Sequence, residues 1–303
     1  LYGGNNKEVF EICSKFVENN RTPISPHLGE FLFLQSYSQD RLGCPEGAII
    51  NSEKAYAIFS ILENEIGCGW AGNFLGILNK KLSDFREAMK WFVRAGRIYQ
   101  KNCMYRKLSM VNLNMGNTQF RIGEYNKAFC FLEDSMRLAV EGDWIHRQCF
   151  ANIALGNVYR LTRAYDTARR HLHTAYNQAQ ELQFPREEAL ALEFLGDVYR
   201  DEGLPAEARR YYARALAIGL KIAPEGDIVM EVHRRVGECH FLEGKPNLAM
   251  PELNKALEMA RTQGDRFEEA VTLRILSETS LLVGDLQSSR NYIDRSANIL
   301  REI

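Results

Sequence analysis

Apolar and small residues recur along this chain with a period of forty. Leu75-Gly76, Met115-Gly116, Leu155-Gly156, Leu195-Gly196, Val236-Gly237 and Leu276-Ser277 are spaced 40, 40, 40, 41 and 40 residues apart. Twelve positions after each small residue stand Ala88, Ala128, Ala168, Ala208, Ala249 and Ser289. Seven further on stand Ala95, Ser135, Ala175, Ala215, Ala256 and Ser296. Within one period the apolar positions follow helical steps. Ile153, Leu155, Val158, Tyr159 and Leu161 crowd one face, and Ala168, Leu172, Ala175 and Ala179 form a second stripe. Steps of three and four mark amphipathic helices, not the two-residue alternation of a strand. Each period therefore predicts a helical hairpin, and a repeat of this length predicts a solenoid.

The breaks support this division. Gly123, Gly203, Gly244 and Gly284 fall between paired helices, where a left-handed residue ends a helix. Pro205 and Pro246 follow as first helical residues, which need no N–H. Between periods, Gly142-Asp143, Gly226-Asp227 and Gly264-Asp265 offer Asp as an N-cap. The small residues predict close backbone approach between paired helices, with Tyr159 and Tyr199 filling the space beside it. Pro251, inside a predicted second helix, predicts either a kink or a helix that starts later, near Met250.

Leu155-Gly156-x-x-Tyr159 with Ala168 and Ala175, and Leu195-Gly196-x-x-Tyr199 with Gly203, Ala208, Tyr212 and Ala215, resemble the tetratricopeptide repeat. The forty-residue length and the run Leu155-Gly156-Asn157-Val158-Tyr159 resemble repeats of the Leu-Gly-Asn and kinesin light chain type. The run Ile222 to Asp227, with Glu231, Arg234 and Arg235, is similar to repeats in large bacterial transcription regulators. The resemblance covers roughly residues 29 to 302. It implies an all-α superhelix of six to seven hairpins over 29–303, in a right-handed stack. Residues 1–28 hold a partial repeat helix, Glu8 to Val17, and a linker from Glu18 to His27 with Pro23 and Pro26. The apolar last helix, with Tyr292, Ile293, Ala297, Ile299, Leu300 and Ile303, lacks a polar cap. That absence, and a first residue other than Met, predict a piece excised from a longer protein. Self-association through the terminal helices stays open.

Composition narrows the function. Net charge is −1, which argues against direct nucleic-acid binding. No apolar run reaches membrane-spanning length, and no signal-peptide pattern opens the chain, so a cytoplasmic setting is expected. Seven scattered cysteines, Cys13, Cys44, Cys68, Cys103, Cys130, Cys149 and Cys239, read as small buried hydrophobes without a structural disulfide. His171 and His173 diverge on a helix. His233 and His240 share a face without a completing ligand. Gly244-Lys245 is followed by Pro246, not Ser or Thr, so it is no phosphate loop. No catalytic group, metal site or cofactor is expected.

What remains is surface. The resemblance implies that first helices line a concave groove, at positions three before, one after and four after each packing glycine. Those positions hold Asn73, Ile77 and Lys80; Leu113, Asn117 and Phe120; Ile153, Asn157 and Arg160; Glu193, Asp197 and Arg200; Arg234, Glu238 and Phe241; and Arg274, Glu278 and Leu281. The candidate partner-binding residues are Asn73, Asn117, Phe120, Asn157, Arg160, Asp197, Arg200, Arg234 and Glu238. Asn can both donate to and accept from a peptide backbone, and Arg can pair with acidic side chains. Pairs such as Asp197 with Arg200 can equally neutralise one another. The expected function is a protein- or peptide-binding module, the sensory or regulatory segment of a larger transcription regulator. A stand-alone scaffold and a small-ligand receptor are the alternatives.

Overall fold

The computed structural model describes residues 6–19 and 24–302, all helices and short turns, with no strand among the described residues. Pro23 and Ile303, named above, lie outside them. The helices are α1 (Asn6–Asn19), α2 (Pro26–Arg41), α3 (Pro45–Ile61), α4 (Glu65–Lys81), α5 (Phe85–Lys101), α6 (Tyr105–Ile122), α7 (Tyr125–Glu141), α8 (Ile145–Leu161), α9 (Tyr165–Glu181), α10 (Pro185–Asp201), α11 (Pro205–Ile222), α12 (Asp227–Leu242), α13 (Pro246–Gln263), α14 (Arg266–Leu282) and α15 (Leu286–Glu302). They form two compact units, 1–147 and 148–303. After α1, the helices pair in sequence into seven hairpins. In the first unit α2 packs on α4 and α4 on α6; in the second, α10 packs on α12 and α12 on α14. First helices therefore neighbour first helices within each unit. No described helix is long and apolar enough to cross a membrane.

The periodic glycines sit where the expectation puts them. A Cβ added at Gly76 would lie 2.5 Å from Phe92, at Gly116 2.6 Å from Leu132, and at Gly156 2.6 Å from Leu172. At Gly196 it would lie 2.4 Å from Tyr212, and at Gly237 2.6 Å from Leu253. Each partner stands sixteen residues on, in the second helix of the same hairpin, and all five are fully buried. The glycine lets a large side chain lie flat against the first helix. At the last hairpin Ser277 takes the place, its hydroxyl donating to the Ser289 carbonyl at 2.8 Å. Ala88, Ala128, Ala168, Ala208 and Ala249 are wholly buried beside these contacts. Tyr159 stacks on His171 at 5.3 Å between centroids, and Tyr199 on Tyr211 at 5.0 Å.

The turns carry a shorter period than the sequence pattern suggests. The N–H groups of Cys44, Asn64, Asp84, Met104, Glu124, Trp144, Ala164, Phe184 and Leu204 each bond the carbonyl five residues back, at 2.8–2.9 Å. These residues are twenty apart, so turns within and between hairpins are the same. Lys245, Asp265 and Asp285 continue the series at 2.9–3.0 Å, one residue out of phase. The extra residue belongs to the loop after α11. There Pro224 disfavours helical geometry at Ala223, which is extended at φ −157°. This accounts for the single spacing of 41.

The residue before each of these bonds is left-handed. Glycine fills that place at Gly43, Gly123, Gly203, Gly244, Gly264 and Gly284, but Glu63, Ser83, Cys103, Asp143, Arg163 and Gln183 fill it elsewhere. The Gly142-Asp143 break therefore differs from expectation. Gly142 has an ordinary φ of −92°, and Asp143 takes the left-handed place. Gly142 is small because a Cβ would come within 2.4 Å of the Trp144 ring. Of the three Asp residues expected as N-caps, only Asp265 accepts a cap bond, from Glu268 N–H at 2.9 Å. Asp227 is the first helical residue behind Gly226.

α13 begins at Pro246, not near Met250, and continues through Pro251. Pro251 is exposed in the second turn. α1 runs Asn6–Asn19 and packs on α2 through stacked Phe16 and Phe31, 3.8 Å between centroids. α2 begins at Pro26, inside the stretch read as linker, with Ser25 as its cap. The cysteines also depart from expectation. Cys13, Cys68, Cys149 and Cys239 are buried, but Cys44 and Cys103 in turns and Cys130 on α7 are exposed; all seven are free thiols. Burial pushes the Cys149 and Cys239 thiols up to about 12.

Gly156→Leu should destabilise the chain by about 1–3 kcal/mol through overpacking against Leu172. Gly244→Leu has open space and only backbone strain to meet, and should cost less. Denaturant unfolding of both variants checks the ranking; equal loss would mean that the glycine contact is not close-packed.

Candidate functional site

In the second unit the first helices bring their polar positions into one connected ionic network. Arg160 on α8 is 9% exposed. Its Nε and Nη2 donate to Asn157 Oδ1 at 3.0 and 2.8 Å, and its Nη1 reaches Asp201 on α10. Asp201 also accepts from Arg200 at 2.8 and 3.0 Å. Arg200 Nη1 donates to Asp197 and to Glu238 on α12, both at 3.0 Å. Arg234 Nη1 stands 3.6 Å from Glu238, and its Nε donates to Glu268 on α14 at 2.7 Å.

Asp197 is the centre of this arrangement. It is 2% exposed, and one of its oxygens accepts from Arg200 at 3.0 Å, Arg235 at 3.0 Å and the Tyr212 hydroxyl at 2.7 Å. Burial alone would raise this carboxyl. Arg235, Arg200 and Arg160, with the Tyr212 hydroxyl, instead hold it well below the usual carboxylate range. Tyr212 is the residue that packs on Gly196, so one side chain joins the hairpin contact to the ionic network.

Glu193, one turn earlier on α10, is held differently. It is wholly buried, and neither oxygen accepts an aligned hydrogen bond although Arg235 Nη2 lies 2.9 Å away. Burial drives its pKa well up against the pull of Arg235, and the carboxylates of Glu231 and Asp197 add to the rise. Arg235 is committed to Asp197 and, at 2.8 Å, to Glu231.

The first unit is arranged more sparsely. Asn73 is 7% exposed and accepts from Asn114 of the next first helix at 3.3 Å. Asn117 is half-buried, and its amide has no partner among the described residues. Phe120 packs beside Tyr125, 5.8 Å between centroids. Lys80 lies at the register of Arg160 and Arg200 but has no carboxylate partner among the described residues. Burial, with Arg121 and Lys81 nearby, lowers its amine to about 8.

The expected residues thus divide. Asn157, Arg160, Asp197, Arg200, Arg234 and Glu238 share one network within the second unit, while Asn73, Asn117 and Phe120 belong to the first. Asp201, Tyr212, Glu231, Arg235 and Glu268 were not among the candidates. For Asp201, Arg235 and Glu268 the signal lies in residues 34 to 41 apart, such as Arg160 with Asp201, which meet only across stacked hairpins. Tyr212 instead reaches Asp197 within its own hairpin, and Glu231 lies one turn before Arg235. The histidines are held by neighbours: His171 by Asn152 at 2.8 Å and His233 by Glu252 at 2.6 Å. Among the described residues, no three His, Cys, Asp or Glu side chains gather as a metal set.

Residues 148–221 match the tetratricopeptide repeat family model. No curated protein sequence matches the chain significantly. Solved structures of similar fold include a Rap protein complexed with competence and sporulation factor, 15% identical, with a TM-score of 0.76 over 95% of this chain and 80% of that one. A second is the Rap conjugation gene regulator of plasmid pLS20 in complex with the Phr* peptide, 17% identical, TM-score 0.74, over 90% and 74%. A third is the apo form of the quorum sensor NprR from B. thuringiensis, 11% identical, TM-score 0.70, over 97% and 81%. The chain is an all-α fold of consecutive helical hairpins, and the tetratricopeptide repeat match covers residues 148–221 of it.

Two carboxyls with opposite shifts predict opposite pH linkages. Asp197, lowered from 3.8, contributes stability above that value and loses it as pH falls. Glu193, raised from 4.5, favours the fold below that value, and this contribution is lost as pH rises. Glu193→Gln removes the second dependence. Its melting temperature relative to the parent should therefore climb as pH rises above the ordinary glutamate value. A constant difference would place a charged Glu193 in the fold. Asp197→Asn should cost about 3–5 kcal/mol, because it leaves buried arginines without their counter-charge; a loss below about 1 kcal/mol would contradict the central role of this carboxylate.

Proposed function

We propose that this chain is a protein- or peptide-binding module whose first-helix surfaces hold an extended partner segment. The observation that carries the reading is the recurrence of polar side chains on successive first helices at positions the hairpin packing does not use. Asn117 keeps an uncommitted amide that can both donate to and accept from a peptide backbone. In the second unit Arg160 and Arg200 are held in fixed directions by Asn157, Asp201 and Glu238. A guanidinium already oriented loses less freedom when it meets a ligand carboxylate. Solenoids present extended surfaces of this kind to partners. The peptide-bound Rap regulator of similar fold supports this reading, as does the Rap protein in complex with its factor.

In its finer form, the module is the sensory segment of a larger cytoplasmic transcription regulator. It is not an enzyme and meets nucleic acid only through other parts of such a protein. The full coding sequence checks this directly: a DNA-binding or nucleotide-binding region beside the segment is expected, and its absence favours a stand-alone adaptor.

Selection from a displayed library of short random peptides tests the binding surface. The parent should enrich a defined family of sequences with acidic positions. The Asn157→Ala, Arg160→Ala, Arg200→Ala triple variant, all within the second unit, should bind a selected peptide about tenfold or more weakly, since each lost hydrogen bond counts for about 0.5–1.5 kcal/mol. Unchanged affinity in a folded triple variant would move the site off the first helices.

A further inference from the structure

The second helices of the first unit carry a feature that the repeat does not require. Where others place Tyr56, Met136, Tyr176, Leu216 and Leu257, and α15 places Ala297, α5 places Gly96. A Cβ there would meet only Val111 at 3.6 Å and Leu108 at 3.8 Å, which is ordinary contact, so close packing does not demand this glycine. The missing side chain helps leave a cleft of about 600 Å³ between α5, α6 and α7. Its lining includes Leu108, Met115, Phe131 and Leu138.

Asn112 also lines this cleft, only 8% exposed, and its carboxamide has no hydrogen-bond partner among the described residues. The repeat shows what is missing. Forty residues on, Asn152 accepts or donates at 2.8 Å with His171 and donates to Gln178 at 3.2 Å. At the same register His233 bonds Glu252 at 2.6 Å. The positions that would serve Asn112 are Phe131 and Leu138, whose side chains cannot bond it. An amide that its protein neighbours cannot bond is open to a ligand entering the cleft. At the rim, Arg137 is occupied by Asp134 at 3.0 Å and Glu141 at 3.2 Å, whereas Arg97 has no carboxylate partner among the described residues.

We propose that this cleft is a second binding site, for a short acidic peptide segment. It takes one apolar side chain on its floor, a peptide group on the Asn112 carboxamide and a carboxylate at Arg97. The site belongs to α5, α6 and α7 and shares none of the first-helix residues invoked for partner binding, so either can fail without the other.

The probe is acetyl-leucyl-glutamate, titrated into the whole chain while the side-chain amide resonances of Asn112 are followed by NMR. A saturable shift is expected. Acetyl-leucyl-lysine, and the Arg97→Ala variant with the original probe, should each bind at least tenfold more weakly. Asn112→Leu should melt at or above the parent temperature and lose binding. Gly96→Met restores the side chain found at Met136 and should close the cleft and abolish the shift. No saturable shift with the parent at millimolar probe would overturn the proposal and leave Asn112 a hydrated amide only. Equal affinity in Gly96→Met would overturn it as well, and that variant decides the matter even if Asn112→Leu does not fold.

Discussion

The contact between a first-helix glycine and the side chain sixteen residues later sets the rest of this structure. It brings the two helices of a hairpin close enough for Phe92, Leu132, Leu172, Tyr212 or Leu253 to lie flat in place of a Cβ. Close-packed interiors are not continuously deformable, so this contact fixes the depth of the five hairpins that carry it. The twenty-residue turn then fixes its length. With both set, equivalent residues of neighbouring first helices meet, and side chains about forty apart in sequence become partners. The cross-repeat pairs Arg160–Asp201, Arg200–Glu238 and Arg235–Asp197 all depend on that register.

The ionic network ties successive first helices of the second unit to one another. Four arginines and six carboxylates crowd against one another within the second unit, several of them nearly buried. Burying a charge is unfavourable unless it is paired and bonded, and these are. The exception is Glu193, which lies too deep, and among too many other carboxylates, to stay charged comfortably. The two acids of α10 one turn apart are therefore driven in opposite directions by surroundings alone. The arginines are held in fixed directions by the carboxylates around them.

Much of this fold was legible in the sequence. The forty-residue register of Gly76 to Ser277 located every hairpin after the first, and the wholly buried alanines lie where the pattern put them. The turns were only half legible. Glycine marked some left-handed positions, but Arg163, Gln183 and Glu63 occupy the same conformation without any local signal, because the bond five residues back imposes it. The network was legible only as short-range pairs such as Asp197 with Arg200. Arg235 and Asp201 take their importance from hairpin stacking, which no local window contains. Nor did the sequence distinguish Asn112 from Asn152. The difference lies in the residues nineteen and twenty-six further on, which only the folded register brings alongside.

The claim that hairpin stacking makes these distant residues one unit is tested most directly by a double-mutant cycle on Asp197 and Arg235, 38 residues apart on successive first helices. Stability would be measured for Asp197→Asn, Arg235→Gln and the double variant. The account predicts a coupling energy of about 1–3 kcal/mol, as for buried partners in one network. Losses that add within about 0.3–0.5 kcal/mol would show two independent charges and would contradict it.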